Sequence, residues 1–160
     1  AMERPRCYLA SPLGFTDDGA RLLREVYLPR LRTVVEPVNP WELTSAEEVR
    51  AARGSRRRRE LWAEIGRRNA DAIASSPLLV AYLEGQELDG GTAAEVGYAA
   101  ALGVRCYGLR SDRRLTGEPD ARVNLQVEYF ITASGGTIVA TLDRLLRELR
   151  GAVVALGAAG

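Results

Sequence analysis

Two carboxylates, Asp89 and Glu95, stand six residues apart in the stretch Leu88 to Gly103, LDGGTAAEVGYAAALG. Small and apolar residues fill most of the rest, with Gly90 and Gly91 directly after Asp89. An acid at the opening of a helix meets unpaired N–H groups and the positive end of the helix dipole, which favour its charged form and lower its pKa. An ionised Glu95 facing a crevice has the chemistry of a nucleophile or of an electrostatic stabiliser. The same residues carry a structural reading. Thr92-Ala93-Ala94-Glu95 fits a capping box, in which Glu95 reaches back to the Thr92 backbone N–H, and spacing alone favours it. Asp89 likewise suits a turn. Gly90 and Gly91 either serve turn geometry or let a ligand approach the backbone. With no GxGxxG pattern and no basic residue, the loop does not read as a phosphate cradle.

The rest of the chain narrows the chemistry. There is no His, and every basic residue is Arg. Ser-His and Cys-His nucleophiles, His-ligated metals, Schiff bases and a P-loop lysine are therefore excluded. Acid–base or nucleophilic work falls to Asp, Glu, Tyr, Cys or Ser. Cys7 and Cys106 lie in apolar strand-like runs and read as buried thiols rather than a disulfide or a metal pair. The 160 residues, 46% apolar and 27% charged, suit a single domain over residues 1–160 with a real core. A net charge of +1 gives no push toward nucleic acid or a membrane. The Arg56 to Arg59 run reads as a solvated helix face, because acids balance it and no aromatic is interleaved. No apolar run is long enough to span a membrane. The opening AMERPR has no apolar signal-peptide core, which predicts a cytoplasmic protein.

The elements that must position these residues follow from periodicity. Arg6 to Ser11 reads as a strand, ended by the turn signals Ser11-Pro12-Leu13-Gly14. Asp17 or Asp18 is expected to cap a helix running to Arg32, which Pro29 should kink or shorten. Val34 to Val38 is a weak strand, and Pro37, Pro40 and Trp41 mark a loop. Ser55 to Ser75 is a long helix with Leu61, Trp62, Ile65, Ala72 and Ile73 on one stripe. Leu78 to Leu83 is a buried strand. The glycine loop and a helix ended by Gly103 follow, then a strand over Val104 to Leu109. Ser111 to Val123 is polar loop, Thr137 to Val139 a short strand, and Thr141 to Arg150 a closing helix with a ragged tail over 151–160. Strand–loop–helix–strand units imply parallel pairing with right-handed crossovers. Ligands of such an open α/β sandwich sit at the carboxyl ends of the strands, here Glu84 to Gly91 and the next helix start.

Asp89 to Ala99 resembles the D-x-G-T-A-x-E-x-G-x-A signature of nucleoside 2-deoxyribosyltransferases. Three other segments agree in order: Cys7 to Pro12 followed by Phe15, Asn69 to Ile73 leading into Leu78 to Leu83, and Val123-Asn124-Leu125 with Val127-Glu128. The resemblance implies a flavodoxin-like, doubly wound α/β sandwich with a mostly parallel sheet of about five strands. It also implies transfer of 2-deoxyribose from a deoxynucleoside to a free nucleobase, in a homo-oligomer with shared sites. By position, Glu95 matches the nucleophile and Asp89 the acid that moves the base's proton. Tyr8 matches the residue that holds the nucleophile. Phe15, Asn69 and Gly91 fall with the substrate-binding residues. Asn124 matches the residue lent by a neighbouring subunit to the sugar 5′-hydroxyl. Asn69 stands where some members have Asp, and Leu125 where some have Met. Neither metal nor cofactor is implied. The chemistry is that of a retaining glycosidase applied to an N-glycosidic bond. Two other functions fit the same resemblance: an N-glycosidase using water as acceptor, and a non-catalytic nucleotide sensor.

Overall fold

Short apolar runs supply the central strands. The computed structural model describes residues 3–159. Ala1, Met2 and Gly160, the ends of the expected domain and part of the AMERPR and tail readings, lie outside the described residues. Strand β1 is Arg6–Ala10, β2 Glu36–Val38, β3 Leu78–Tyr82, β4 Arg105–Leu109 and β5 Ile138–Val139. All pairings are parallel, in the order β2-β1-β3-β4-β5. This is the flavodoxin-like order, and the strand direction of travel reverses between β1 and β3. Loops leaving those two strands therefore diverge and open a crevice at the carboxyl end.

Alternation along the strands divides the core into two layers. Cys7, Leu9, Leu78, Val80, Tyr107 and Leu109 face one layer, closed by Leu23, Leu28, Leu31, Leu145 and Leu149. Tyr8, Ala10, Leu79, Ala81 and Cys106 face the other, closed by Ile73, Val96, Ala99, Val127 and Ile131. The helices of this second layer are α4 (Ser55–Ala74), α5 (Gly90–Ala101) and α6 (Leu125–Ala133). Ala10, Ala81 and Gly108 lie side by side across the three central strands on this face. A Cβ on Gly108 would come within 2.5 Å of the Leu83 side chain, so a larger residue there would force Leu83 to shift. Both cysteines are free and buried, as expected. No helix of the described residues is long and apolar enough to cross a membrane.

Several boundaries differ from the sequence expectation. Thr16, not Asp17 or Asp18, caps helix α1 (Asp17–Leu22) by accepting from the Gly19 N–H. The two aspartates instead lie in the first turn, where their charge complements the dipole. Pro29 does not end the helical run, which continues to Leu31. A π-turn over Leu23–Tyr27, closed by the Leu28 N–H on the Leu23 carbonyl, leads into α2 (Leu28–Leu31). Pro29 then sits in the first turn of α2, where its missing N–H is harmless. Helix α3 (Ala46–Ala51) occupies a stretch with no expected element and opens with a full Ser45/Glu48 capping box. The tail is not ragged. Helix α7 runs over Leu142–Ala158, because Leu145, Leu146, Leu149 and Ala152 form one buried stripe that continues past Arg150.

Candidate active site

The start of α5 is built by Asp89. Its Oδ2 accepts from the Thr92 N–H at 2.8 Å and from the Thr92 hydroxyl at 2.9 Å. Asp89 is thus the N-cap, and the capping box expected between Thr92 and Glu95 does not form. Gly91 matters for this geometry, because a Cβ there would lie 3.2 Å from the same Asp89 oxygen. With the helix opening at Gly90, no acid lies in its first turn. Glu95 falls in the second turn, beyond the reach of the dipole that was expected to hold it ionised.

Glu95 instead turns inward. It stands three residues after Thr92 and four before Ala99, both buried, and so shares their face of the helix. Its Oε2 is buried without a hydrogen-bond partner. Burial pushes its carboxyl up to about 7; the Tyr8 hydroxyl pulls it down, and the Asp89 charge adds to the rise. The expected lowering is therefore reversed, because desolvation outweighs every favourable neighbour. Tyr8 comes from the middle of β1, is fully buried, and its hydroxyl has no partner in full hydrogen-bond geometry. Its pKa is driven far up, first by burial and then by the Glu95 charge. The two groups face each other closely enough to couple. Asn69 lies on α4, three and four residues before the buried Ala72 and Ile73, and its Oδ1 is also buried and unpartnered. Three orphaned polar atoms on one side of one sheet are rare in a finished core, and their natural partner is a polar ligand.

The remaining expected residues lie at the rim. Phe15, on the short 3₁₀ turn after β1, is 73% exposed and meets Trp41 edge-on with ring centroids 4.6 Å apart. Asn124 is exposed and caps α6, its Oδ1 accepting from the N–H groups of Gln126 and Val127. The structure thus couples Tyr8, Asp89 and Glu95, sets Gly91 against Asp89, and leaves Phe15 and Asn124 apart from them. Asp71, beside Asn69 in sequence, points outward to Arg67 at 3.0 Å. Two residues that sequence reasoning gave no role stand at the same end of the sheet. Glu84 follows β3, and Arg110 follows β4 and is 1% exposed. Charged residues closing two adjacent buried strands were the available signal. Among the described residues no group of three or more His, Cys, Asp or Glu is placed to hold a metal ion.

The sheet is doubly wound, and a glutamate, a tyrosine and an aspartate are coupled over one of its faces. The sequence matches the nucleoside 2-deoxyribosyltransferase family over residues 7–143, and the chain belongs to that family. No curated protein matches the sequence. Among solved structures, a conserved protein from Enterococcus faecalis V583 is similar at 24% identity and a TM-score of 0.70, covering 94% of this chain and 99% of that one. The 2-desoxiribosyltransferase from Leishmania mexicana is similar at 26% identity and a TM-score of 0.56, covering 77% of this chain and 85% of that one. A CMP N-glycosidase from Clostridium botulinum shares the fold at 17% identity and a TM-score of 0.54, covering 90% of this chain and 97% of that one.

Proposed function

We propose that the chain, working as one domain, transfers 2-deoxyribose between nucleobases by double displacement. The observation that carries this reading is the buried Tyr8–Glu95 pair, two groups without full partners that face each other beside Asp89. The Glu95 carboxylate attacks C1′ from the face opposite the base. The C1′–N bond breaks through an oxocarbenium-like state, its electron pair leaves with the base, and Asp89 supplies the proton. Tyr8 donates to Glu95 and fixes which oxygen attacks. A second base then displaces the glutamyl ester and returns its proton to Asp89, so β configuration is retained overall. Asp89 spends Oδ2 on the helix cap, which leaves Oδ1 for the base. Phe15, Asn69 and Gly91 line the substrate in this reading.

The sites work in a homo-oligomer, each completed by Asn124 of a neighbouring subunit. An exposed apolar face supports association. Tyr98 on α5, Leu102 just after it, and Leu125 and Tyr129 on α6 are 44%, 50%, 52% and 61% exposed, and the two helices pack together.

A second reading, N-glycosidic hydrolysis, draws on the fold shared with the CMP N-glycosidase. One experiment separates the two. The protein is incubated with deoxyinosine and free adenine, and the products are resolved by chromatography. Deoxyadenosine is the expected product. Free sugar and base alone, even at high adenine concentration, would establish hydrolysis instead.

A further inference from the structure

Arg110 is the most deeply buried charge in the protein, and it has no ordinary reason to be there. Among the described residues no carboxylate lies at ion-pair distance from it. Its Nη1 donates to the carbonyls of Leu83 at 2.6 Å and Gly85 at 2.8 Å, and its Nη2 to the carbonyl of Arg114 at 2.8 Å. Its Nε is buried without a partner. A guanidinium cannot escape desolvation by losing its proton, so this burial is retained at a cost. A lysine could not reproduce it, because the three carbonyls are met by a planar fork.

Glu84 makes the mirror-image contact. It extends from the end of β3 and accepts from the Ser111 hydroxyl at 2.7 Å, from the Ser111 N–H, and from the Asp112 N–H at 2.8 Å. The cation at the end of β4 therefore grips the loop leaving β3, and the anion at the end of β3 grips the loop leaving β4. Both loops then run directly into a helix cap. The first ends at Asp89, which caps α5. The second ends at Asn124, which caps α6. The second loop spans Ser111 to Val123 without a helix or strand, a length that ordinarily needs internal fastening to hold one shape. Arg110 provides much of it, since its own carbonyl also accepts from Arg122 Nη2 at 3.4 Å. Asp112, held by Arg114 through both carboxylate oxygens, extends the same network.

We propose that Arg110 and Glu84 are positioning residues for the reaction, a reciprocal clasp that sets the Asp89 carboxyl against the leaving base and fixes the loop that delivers Asn124. The inference rests on the reading of Asp89 as the proton donor. Neither residue touches substrate. Loosening the clasp moves the acid without removing it, and a displacement near 1 Å at a reacting group costs up to about a hundredfold in rate.

Arg110→Lys keeps the charge and loses the fork, while Glu84→Gln keeps the shape and loses the charge. Each variant is examined by backbone hydrogen exchange and by kcat and KM on deoxynucleosides with good and poor leaving bases. Both variants should speed exchange in residues 84–89 and 111–124 together, with α4 unchanged. Both should lower kcat by about tenfold or more for poor leaving bases, less for good ones, with KM little altered. Adding either change to Asp89→Asn should bring no further leaving-group sensitivity. Exchange that rises in only one loop, or in neither, overturns the clasp. Where Asp89→Asn itself discriminates between good and poor leaving bases, an equal kcat loss for all bases also overturns it, because that is what general destabilisation gives. If Asp89→Asn alone shows no leaving-group dependence, the proton-donor reading fails. The clasp then stands or falls on whether both loops loosen together while kcat drops. Should Arg110→Lys fail to fold, Glu84→Gln decides by the same measurements.

Discussion

Glu95 shows how one carboxylate is pulled between two requirements. Its burial favours the protonated form, and the proposed attack on C1′ needs the ionised form. The sign of the pH effect follows from the proton count. An unfolded glutamate titrates near 4.5, whereas Glu95 in the folded chain titrates at about 7. Between those values the folded state holds a proton that the unfolded state has lost. This group's contribution to stability is therefore full below pH 4.5 and is lost as pH rises to about 7. Glu95→Gln imitates the protonated side chain. Its melting temperature should match wild type at pH 4 and exceed it above pH 7, by an amount equivalent to roughly 1–3 kcal/mol after discounting for partial exposure. A stability difference that stays flat with pH would mean the carboxyl is not desolvated. Ionisation of Glu95 should raise kcat/KM of the unmodified protein through a midpoint near pH 7, and the need for a proton on Asp89 should turn the profile down on its alkaline side, so that Asp89→Asn loses the descending limb.

At the scale of elements, local pattern and tertiary environment part company in an instructive way. The run Leu78 to Tyr82 is apolar throughout and bounded by Pro77 and Glu84, so a buried parallel strand could be read directly. The spacing of Asp89 and Glu95 was also legible, together with the glycines between them. The cap was not, because Asp89 and Thr92 both open plausible helices and only the fold decides which N–H groups are left unpaired. Placing the cap three residues earlier takes Glu95 out of the first turn, and its burial, which the spacing did not reveal, reverses the direction of its shift. Arg110 left only a faint signal, a charge closing a buried strand, for a related reason: an arginine after a strand looks like a surface residue until the loops that cover it are known. The tail of α7 was misjudged because Gly151 and the alanines of GAVVALGAAG suggest fraying, while Ala152 is 2% exposed and packs against the sheet layer. This can be tested by shortening the chain after Arg150. Losing the Ala152 and Val153 contacts should destabilise the fold by about 1–3 kcal/mol, read as a lower urea midpoint. A ragged tail would leave the midpoint unchanged.

At the scale of the whole molecule, the proposed role of Asn124 makes a finished site depend on a second chain. In this chain its Oδ1 is committed to the α6 cap, and its amide group remains to donate to a sugar 5′-hydroxyl. It flanks Leu125 and Tyr129, part of the exposed apolar face. The test needs a variant that spares the helix. Asn124→Ser retains a capping oxygen but is too short to reach a substrate, and Glu95→Ala removes the nucleophile. Each protein is unfolded and refolded alone, and the two are also refolded as an equal mixture. In a mixed dimer with shared sites, one site collects both defects and the other collects none. If the lost hydrogen bond is worth about 1 kcal/mol, a roughly fivefold effect, random reassortment gives the mixture about three times the mean activity of the separate proteins. Sites completed within one chain give no gain at all, because every intact Glu95 then keeps its own defective Asn124. Exchange of subunits is verified by pull-down of one tagged variant. An activity that stays at the mean despite confirmed exchange would overturn the shared site and leave Asn124 serving its own chain's site or only the start of its own helix.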